Sequence, residues 1–93
     1  MDIEKCIKDE YGAWLAELRN RKVLVGAKQI RKAINSQRVS KVLLAENADF
    51  VLTDALEALC LQNHIPCAWV PNMTELGHAC GIEVGAAAAA IVD

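Results

Sequence analysis

The spacing of apolar residues changes several times along the chain, and each change predicts a new element. Apolar side chains recur at three- and four-residue steps from about Ile3 to Leu18, which predicts an amphipathic first helix that packs through Trp14. Residues 23–25 form a short run that is apolar throughout and is followed by Gly26, a pattern typical of a buried parallel strand. The chain is therefore expected to open with a helix and then a strand.

Helical spacing returns at Ala27. Ile30, Ala33 and Ile34 share one face of this second helix, and its basic residues share the opposite face. The remaining expected elements are a strand at 42–45, a helix at 53–63 that Pro66 breaks, a strand at 67–70, a short helix capped by Thr74 and ended by Gly81, and a strand at 86–92. The alanine run near the end suits a helix by propensity, but the alternation of the other elements favours a strand there.

Strands and helices that take turns along one chain predict a sheet covered by helices. We therefore expect an α/β fold, a three-layer α/β/α sandwich with a small, mostly parallel mixed sheet. The chain has 93 residues, of which 54% are hydrophobic, and this length supplies one core. Residues 1–93 are accordingly expected to form a single domain.

The basic residues are concentrated in one segment, although the net charge of −2 would by itself argue against nucleic acid. Eight of the ten lie between Arg19 and Lys41, where there is no Asp or Glu, and none follows Lys41. They are Arg19, Arg21, Lys22, Lys28, Arg31, Lys32, Arg38 and Lys41. Such a segment can be merely a solvated surface, but one so free of acids favours a polyanionic partner.

The chain opens on acidic residues, without the basic flank and apolar run of a signal peptide, and no apolar run reaches membrane length. We therefore expect a cytoplasmic protein that does not contact a membrane. The cysteines Cys6, Cys60, Cys67 and Cys80 contain no CxxC pair, and in that compartment they are expected to be reduced and unbridged. Cys60, His64 and Cys67 match no common zinc spacing, so neither a metal site nor a cofactor is expected.

Three segments together carry a recognisable signature. They are residues 25–34 (VGAKQIRKAI), residues 42–49 (VLLAENAD), and Val70–Pro71 with residues 76–88 (LGHACGIEVGAAA). In this order and spacing they resemble the L-seven-Ae ribosomal protein family, most closely its stand-alone bacterial YbxF-like members. The resemblance covers residues 23–92.

The resemblance implies an α/β/α sandwich that binds kink-turns, which are RNA helices bent by a bulge beside tandem sheared G·A pairs. Separately from the resemblance, we expect the chain to be a monomer. In the family, the helix that begins at the glycine makes the main contacts, and an apolar loop before the fourth helix covers the bulge. Together with the basic helix face, this predicts RNA contacts at Gly26, Ala27, Lys28, Gln29, Arg31, Lys32, Glu46, Asn47, Asp49, Val70, Pro71, Asn72 and Met73. The partner implied is ribosomal or riboswitch RNA held in its bent form, with ribosomal proteins as further partners. The apolar loop carries no aromatic side chain to stack on bases.

Lys28 and Gln29 stand where archaeal and eukaryotic members have Asn and Glu, whereas bacterial members resemble this chain there. A Glu carboxylate accepts hydrogen bonds from guanine, whereas Gln offers a neutral acceptor and Lys can only donate. The departure therefore bears on base-specific affinity more than on the class of RNA.

Two other classes of function remain open. A protein-interaction module would dock a basic ribosomal partner through an acidic face made of Glu46, Asp49, Asp54 and Glu57. A thiol-redox enzyme would use Cys67 or Cys80. No nucleophile, base and orienting residue occur at suggestive spacing, so no catalytic residue is predicted and the chain is not expected to be an enzyme.

Overall fold

The computed structural model describes residues 7–8 and 12–92. Over these residues the strands are β1 (Ile7–Lys8), β2 (Lys22–Val25), β3 (Val39–Ala45), β4 (Cys67–Val70) and β5 (Ala88–Val92). The helices are α1 (Gly12–Leu18), α2 (Ala27–Asn35), α3 (Phe50–Gln62) and α4 (Met73–Ala79). Apart from β1, this is the alternation that the sequence predicted, and β4 has the predicted bounds.

The strands form one mixed sheet in the order β1-β4-β3-β5-β2. β4 pairs in parallel with β1 and β3, whereas β5 pairs antiparallel with β3 and β2, so the antiparallel share is larger than the sequence suggested. β2 and β3 both oppose β5 and therefore run in the same direction as β4. The three strands end together at what we call the carboxyl edge, which consists of Val25, Ala45, Val70 and the chain that follows each of them.

Helices cover both faces of the sheet. On one face Leu18 of α1 and Leu76 of α4 pack with Leu43 of β3. On the other face Ile30 of α2 packs with Leu44, the next residue of β3, in a second cluster that also includes α3. This alternation of neighbouring residues is what a sheet buried on both sides requires, and it confirms the three-layer sandwich. None of the helices in the described part of the chain is both long and apolar enough to span a bilayer.

The predicted helix over residues 3–18 is wrong at residues 7–8. Residues 7–8 form β1, which pairs with β4, and α1 begins at Gly12. Pairing decides this, because residues 7–8 supply backbone hydrogen-bond partners to the side of β4 that faces away from β3. The parts of the prediction at residues 3–6 and 9–11 lie outside the described residues.

The expected buried parallel strand at 23–25 is β2, which pairs antiparallel with β5, lies at the end of the sheet and is half-buried. The sequence could not show this, because β5 is the last element of the chain and enters the sheet between β2 and β3. A short apolar run does not reveal the direction of its neighbour.

Two helix starts also differ from the predictions. α3 begins at Phe50, earlier than the predicted Thr53, because Asp49 caps it by accepting a hydrogen bond from the N–H of Val51 at 3.0 Å. α4 is capped by Asn72 rather than by Thr74. Both caps are Asx residues, which satisfy first-turn N–H groups at least as well as Thr does.

The expectation of four reduced, unbridged thiols fails at Cys67. This residue is disulfide-bonded, whereas Cys60 and Cys80 are free thiols. A disulfide depends on the distance between two cysteines in the fold, and sequence spacing alone does not give that distance.

Candidate nucleic-acid interface

The predicted contact residues gather at the carboxyl edge. Gly26 follows β2, residues 46–49 follow β3, and residues 71–72 follow β4 just before α4. The common direction of the three strands thus brings together segments that lie far apart in the sequence. The exposed members of the predicted set are Gly26, Lys28, Gln29, Arg31, Lys32, Glu46, Asn47, Asp49 and Pro71.

Hydrogen bonds join the segments that follow β3 and β4. The N–H of Glu46 donates to the carbonyl of Val70 at 2.8 Å. The N–H of Met73 donates to the side-chain Oδ1 of Asn47, also at 2.8 Å. The carbonyl of Met73 in turn accepts from the N–H of Ala86 at 3.0 Å. The two segments therefore form one connected unit that is anchored to the chain leading into β5.

The amino terminus of α2 lies at the same edge. Its N-cap is Gly26, with a φ of 107°, and no side chain in the described part of the chain caps the N–H groups of its first turn. A helix start of this kind offers N–H groups and the positive end of the helix dipole to a phosphate or a base oxygen. A φ in this range is rare for any residue other than glycine, so the backbone itself explains Gly26.

The basic side chains of α2 face solvent. Lys28, Arg31 and Lys32 are exposed, whereas Ile30 and Ile34 are buried on the other side of the helix. Among the described residues, no carboxylate forms a salt bridge with any of these three cations. Their charge is therefore available to a polyanion.

The remainder of the basic segment is partly engaged with α1. Lys41 contacts the carboxylate of Glu17, and its Nζ lies 5.2 Å from the centroid of the Trp14 ring. Arg21 lies 3.6 Å from the same Glu17 carboxylate. The eight clustered cations therefore do not form one surface, and those of α2 are the group that adjoins the carboxyl edge.

Several predicted contact residues have structural roles. The side chain of Val70 is fully buried, with 0% exposed, beneath α4, so it cannot be part of an apolar platform for bases. Strand alternation turns Val70 inward, and the sequence interpretation did not apply that alternation to β4. Asp49 is exposed but uses its carboxylate to cap α3. Asn72 and Met73 are half-buried, and Ala27 packs partly into the core.

The sequence interpretation missed an exposed aromatic side chain. Phe50, the first residue of α3, is 71% exposed. A signal existed, because Asp49 is a preferred N-cap residue and a helix that starts directly after it places Thr53 on the buried side. The loop after β4 has no aromatic side chain, as the sequence shows. The carboxyl edge does have one, because Phe50 follows the loop after β3.

The free thiols do not resemble reactive cysteines. Burial raises the pKa of the Cys60 thiol to about 12, and the nearby Glu57 carboxylate adds to the rise. Burial also raises the pKa of Cys80. A nucleophilic cysteine requires a lowered pKa, because the thiolate is the reactive form. The geometry therefore gives no support to thiol-redox chemistry at Cys80.

Comparison with known proteins identifies the relatives of this chain. Residues 10–93 match the model of the Ribosomal protein L7Ae/L30e/S12e/Gadd45 family. A Bacillus pumilus protein named RNA-binding protein is 40% identical over 70 residues, which are 75% of this chain and 85% of the relative. RNA-binding protein YbxF of Geobacillus stearothermophilus is 37% identical over 71 residues, which are 76% of this chain and 87% of the relative.

A solved structure shares the fold. The 15.5kD RNA binding protein of Giardia lamblia superposes with a TM-score of 0.80 and 22% sequence identity, over 100% of this chain and 84% of that chain. At this identity the likeness concerns the fold, which is the same mixed α/β arrangement of a sheet between helices.

Proposed function

This chain belongs to the ribosomal protein L7Ae/L30e/S12e/Gadd45 family, and from that membership we propose that it binds RNA, selects the kink-turn and stabilises its bent form. The observation that carries the proposal is the carboxyl edge, where the connected loops after β3 and β4 lie at the same edge as the uncapped start of α2. Two relatives are named as RNA-binding proteins, which supports the class of partner. The role is one of binding, without a catalytic step.

Charge and shape act together in this proposal. A kink brings phosphates of two RNA strands closer than an extended duplex does, so clustered cations stabilise the bent form more than the straight one. Lys28, Arg31 and Lys32 provide such a cluster on α2. Gly26 has no side chain, which lets an RNA backbone approach the first-turn N–H groups closely.

Gln29 and Lys28 suit different parts of the RNA, because their side chains differ in which hydrogen bonds they can donate or accept. Both are exposed in the first turn of α2. The Gln29 amide can accept from and donate to a base edge, whereas Lys28 can only donate and suits a phosphate. We therefore assign base contact to Gln29 and phosphate contact to Lys28.

The test compares affinity for a kink-turn RNA with affinity for the same duplex whose G·A pairs are converted to Watson–Crick pairs. We expect much tighter binding of the kink-turn, at low and at moderate salt. Equal affinity for the two RNAs would contradict selection of the bent form.

Lys32→Ala tests the assignment of α2 as the RNA-binding helix. Loss of one phosphate contact should weaken binding by about 1–3 kcal/mol and flatten the log–log salt dependence by about one unit or slightly less. Lys22→Ala is the matched control, because Lys22 is an exposed cation at the opposite end of β2 from Gly26. If Lys32→Ala and Lys22→Ala behave alike, α2 is not the RNA-binding helix.

We further propose that the target is a ribosomal or riboswitch RNA in the cytoplasm, with ribosomal proteins as possible neighbours in that setting. Crosslinking in cells followed by RNA sequencing would identify it. Use of the acidic face as a protein-docking surface is less well supported, because Asp49 caps α3 and Glu57 accepts a hydrogen bond from the indole Nε1–H of Trp69 at 3.2 Å.

A further inference from the structure

α3 begins with two exposed apolar side chains. Phe50 is 71% exposed and Val51 is 67% exposed. Exposed aliphatic residues are common singly, but an aromatic ring with most of its surface in water is informative about a binding partner. The ring of Phe50 is separate from the cations of α2 and from the loop after β4.

The position of Phe50 on α3 follows from the contact that Glu57 makes. Glu57 accepts a hydrogen bond from Trp69 of β4, so this side of α3 faces β4. Phe50 precedes Glu57 by seven residues, or about two helical turns, and therefore lies on the same side of the helix. Phe50 is at the end of α3 that lies nearer the carboxyl edge, because α3 starts shortly after β3 ends at that edge. Phe50 thus lies near the end of β4 and the loop that follows it.

The backbone that carries the ring is held firmly. Asp49 accepts the N–H of Val51 at 3.0 Å through its side chain, and its carbonyl accepts the N–H of Thr53 at 3.1 Å. The hydroxyl of Thr53 donates to the carbonyl of Phe50 at 3.4 Å. A phenylalanine has two side-chain torsions, so fixing it against a partner costs little conformational entropy.

We propose that Phe50 is a stacking platform for one unpaired nucleobase of the bound RNA, an inference that rests on the RNA-binding function proposed above. Aromatic rings bind unstacked bases through their flat faces without reading the base sequence. The chain from Val42 onward has no Lys or Arg, so the contact proposed at the start of α3 rests on the Phe50 ring, while the cations of α2 supply the phosphate contacts. The position beside the loop after β4 makes Phe50 continuous with the RNA-binding edge and favours a base over a protein partner.

The experiment measures the affinity of the full chain for a kink-turn RNA with Phe50→Ala and with Phe50→Tyr. Loss of one base–aromatic stack should weaken binding roughly 5- to 150-fold. Phe50→Tyr keeps the ring and should keep the affinity. The salt slope of Phe50→Ala should equal that of the wild type, because no cation is lost.

Leu61→Ala is the matched control. Leu61 is exposed by 38% on the same side of α3 as Phe50, but about 16 Å further along the helix, towards the opposite edge of the sheet. The Leu61→Ala substitution removes apolar surface from the same helix and should leave RNA affinity unchanged. Circular dichroism on each variant establishes that the fold is intact.

The stacked base is located by replacing each unpaired nucleotide of the RNA in turn with an abasic one. At one position the abasic substitution should weaken binding by the wild-type protein. The same substitution should cause no further loss of affinity for Phe50→Ala, because the stack is already absent in that variant. If Phe50→Ala binds as tightly as the wild type, the inference is overturned. Failure of the proposed function is distinguishable, because the wild type itself would then bind the kinked and the straight duplex equally.

Discussion

The side chain of Asn47 accepts the backbone N–H of Met73 at 2.8 Å and so ties the loop after β3 to the start of α4. Residue 47 follows β3 and residue 73 begins α4, so a single side chain couples two of the three segments at the carboxyl edge. If this edge binds RNA as proposed, a loop held by such a bond meets the RNA in one conformation, which lowers the entropy lost on binding.

Asn47→Ala should therefore weaken RNA binding without changing its salt slope, because an ordering contact is lost and no charge is removed. The lost hydrogen bond should also cost about 0.5–1.5 kcal/mol of stability. Isothermal calorimetry at two salt concentrations and urea denaturation provide the measurements. Asn63→Ala is the control, since it removes a side-chain hydrogen bond to the carbonyl of Leu59 at the end of α3 that lies away from the carboxyl edge. Similar RNA affinity in the two variants would show that the tie to Met73 does not matter for binding.

Gly26→Ala should destabilise the fold by about 1–3 kcal/mol, because φ at this residue is 107° and an added Cβ strains the backbone there. Among the described residues the added Cβ would meet no other atom within 4 Å, so a clash with them does not account for an effect on binding. We expect the free energy of RNA binding to weaken by more than the free energy of unfolding does. Gly26→Val should abolish binding, since a branched side chain obstructs the approach of RNA.

Gly12→Ala is the comparison for the glycine at position 26. An added Cβ at Gly12 also meets none of the described residues within 4 Å, and the φ of Gly12 lies outside the strained range. Thermal melts and RNA titrations of the two variants should differ clearly. If both variants keep the wild-type melting temperature and RNA affinity, α2 does not begin at a close RNA contact.

Gly77→Ala should disrupt the packing of α4 on the loop before β5. An added Cβ at Gly77 would lie 2.1 Å from the backbone oxygen of Val84, which has no side-chain freedom to move away. Overpacking of this kind costs about 1–3 kcal/mol and sometimes more. His78→Ala, at the exposed neighbouring position, should change stability by less than about 0.5 kcal/mol. Chemical denaturation of both variants checks this, and a Gly77→Ala protein of wild-type stability would show that α4 and the loop can separate without cost.

The Cys60 thiol should react with thiol reagents far more slowly in the folded protein than in denaturant, because burial raises its pKa to about 12. The same shift affects stability at high pH. Below pH 9.0, the ordinary pKa, the thiol is protonated in both the folded and the unfolded chain, and its contribution to stability is fully present. As the pH rises from 9.0 towards 12, the unfolded chain releases the proton and the folded chain keeps it, so the free energy of unfolding falls.

Stopped-flow labelling and denaturation between pH 8 and 11 test both statements. Cys60→Ala should show a smaller loss of stability over the alkaline range than the wild type. A fast-reacting Cys60 in the native protein would contradict the burial of this side chain.

The sequence by itself determined the elements whose information is local. β4 has its predicted bounds because an apolar run lies between Pro66 and Pro71, and proline interrupts regular structure at both ends. α2 and its basic face follow from the three- and four-residue spacing of Ile30 and Ile34, which the structure buries. The order of the three signature segments was likewise sufficient for the family, which the matching family model shows.

The tertiary structure decided what depends on contacts between distant residues. The place of β5 between β2 and β3, the pairing of residues 7–8 with β4 and the capture of Lys41 by Glu17 all join parts of the chain that no local pattern connects. The burial of Val70 and the exposure of Phe50 depend on which face of a strand or helix a neighbour covers. Periodicity shows that an element has two faces, but the free energy of packing against other elements decides which side chains remain in contact with water.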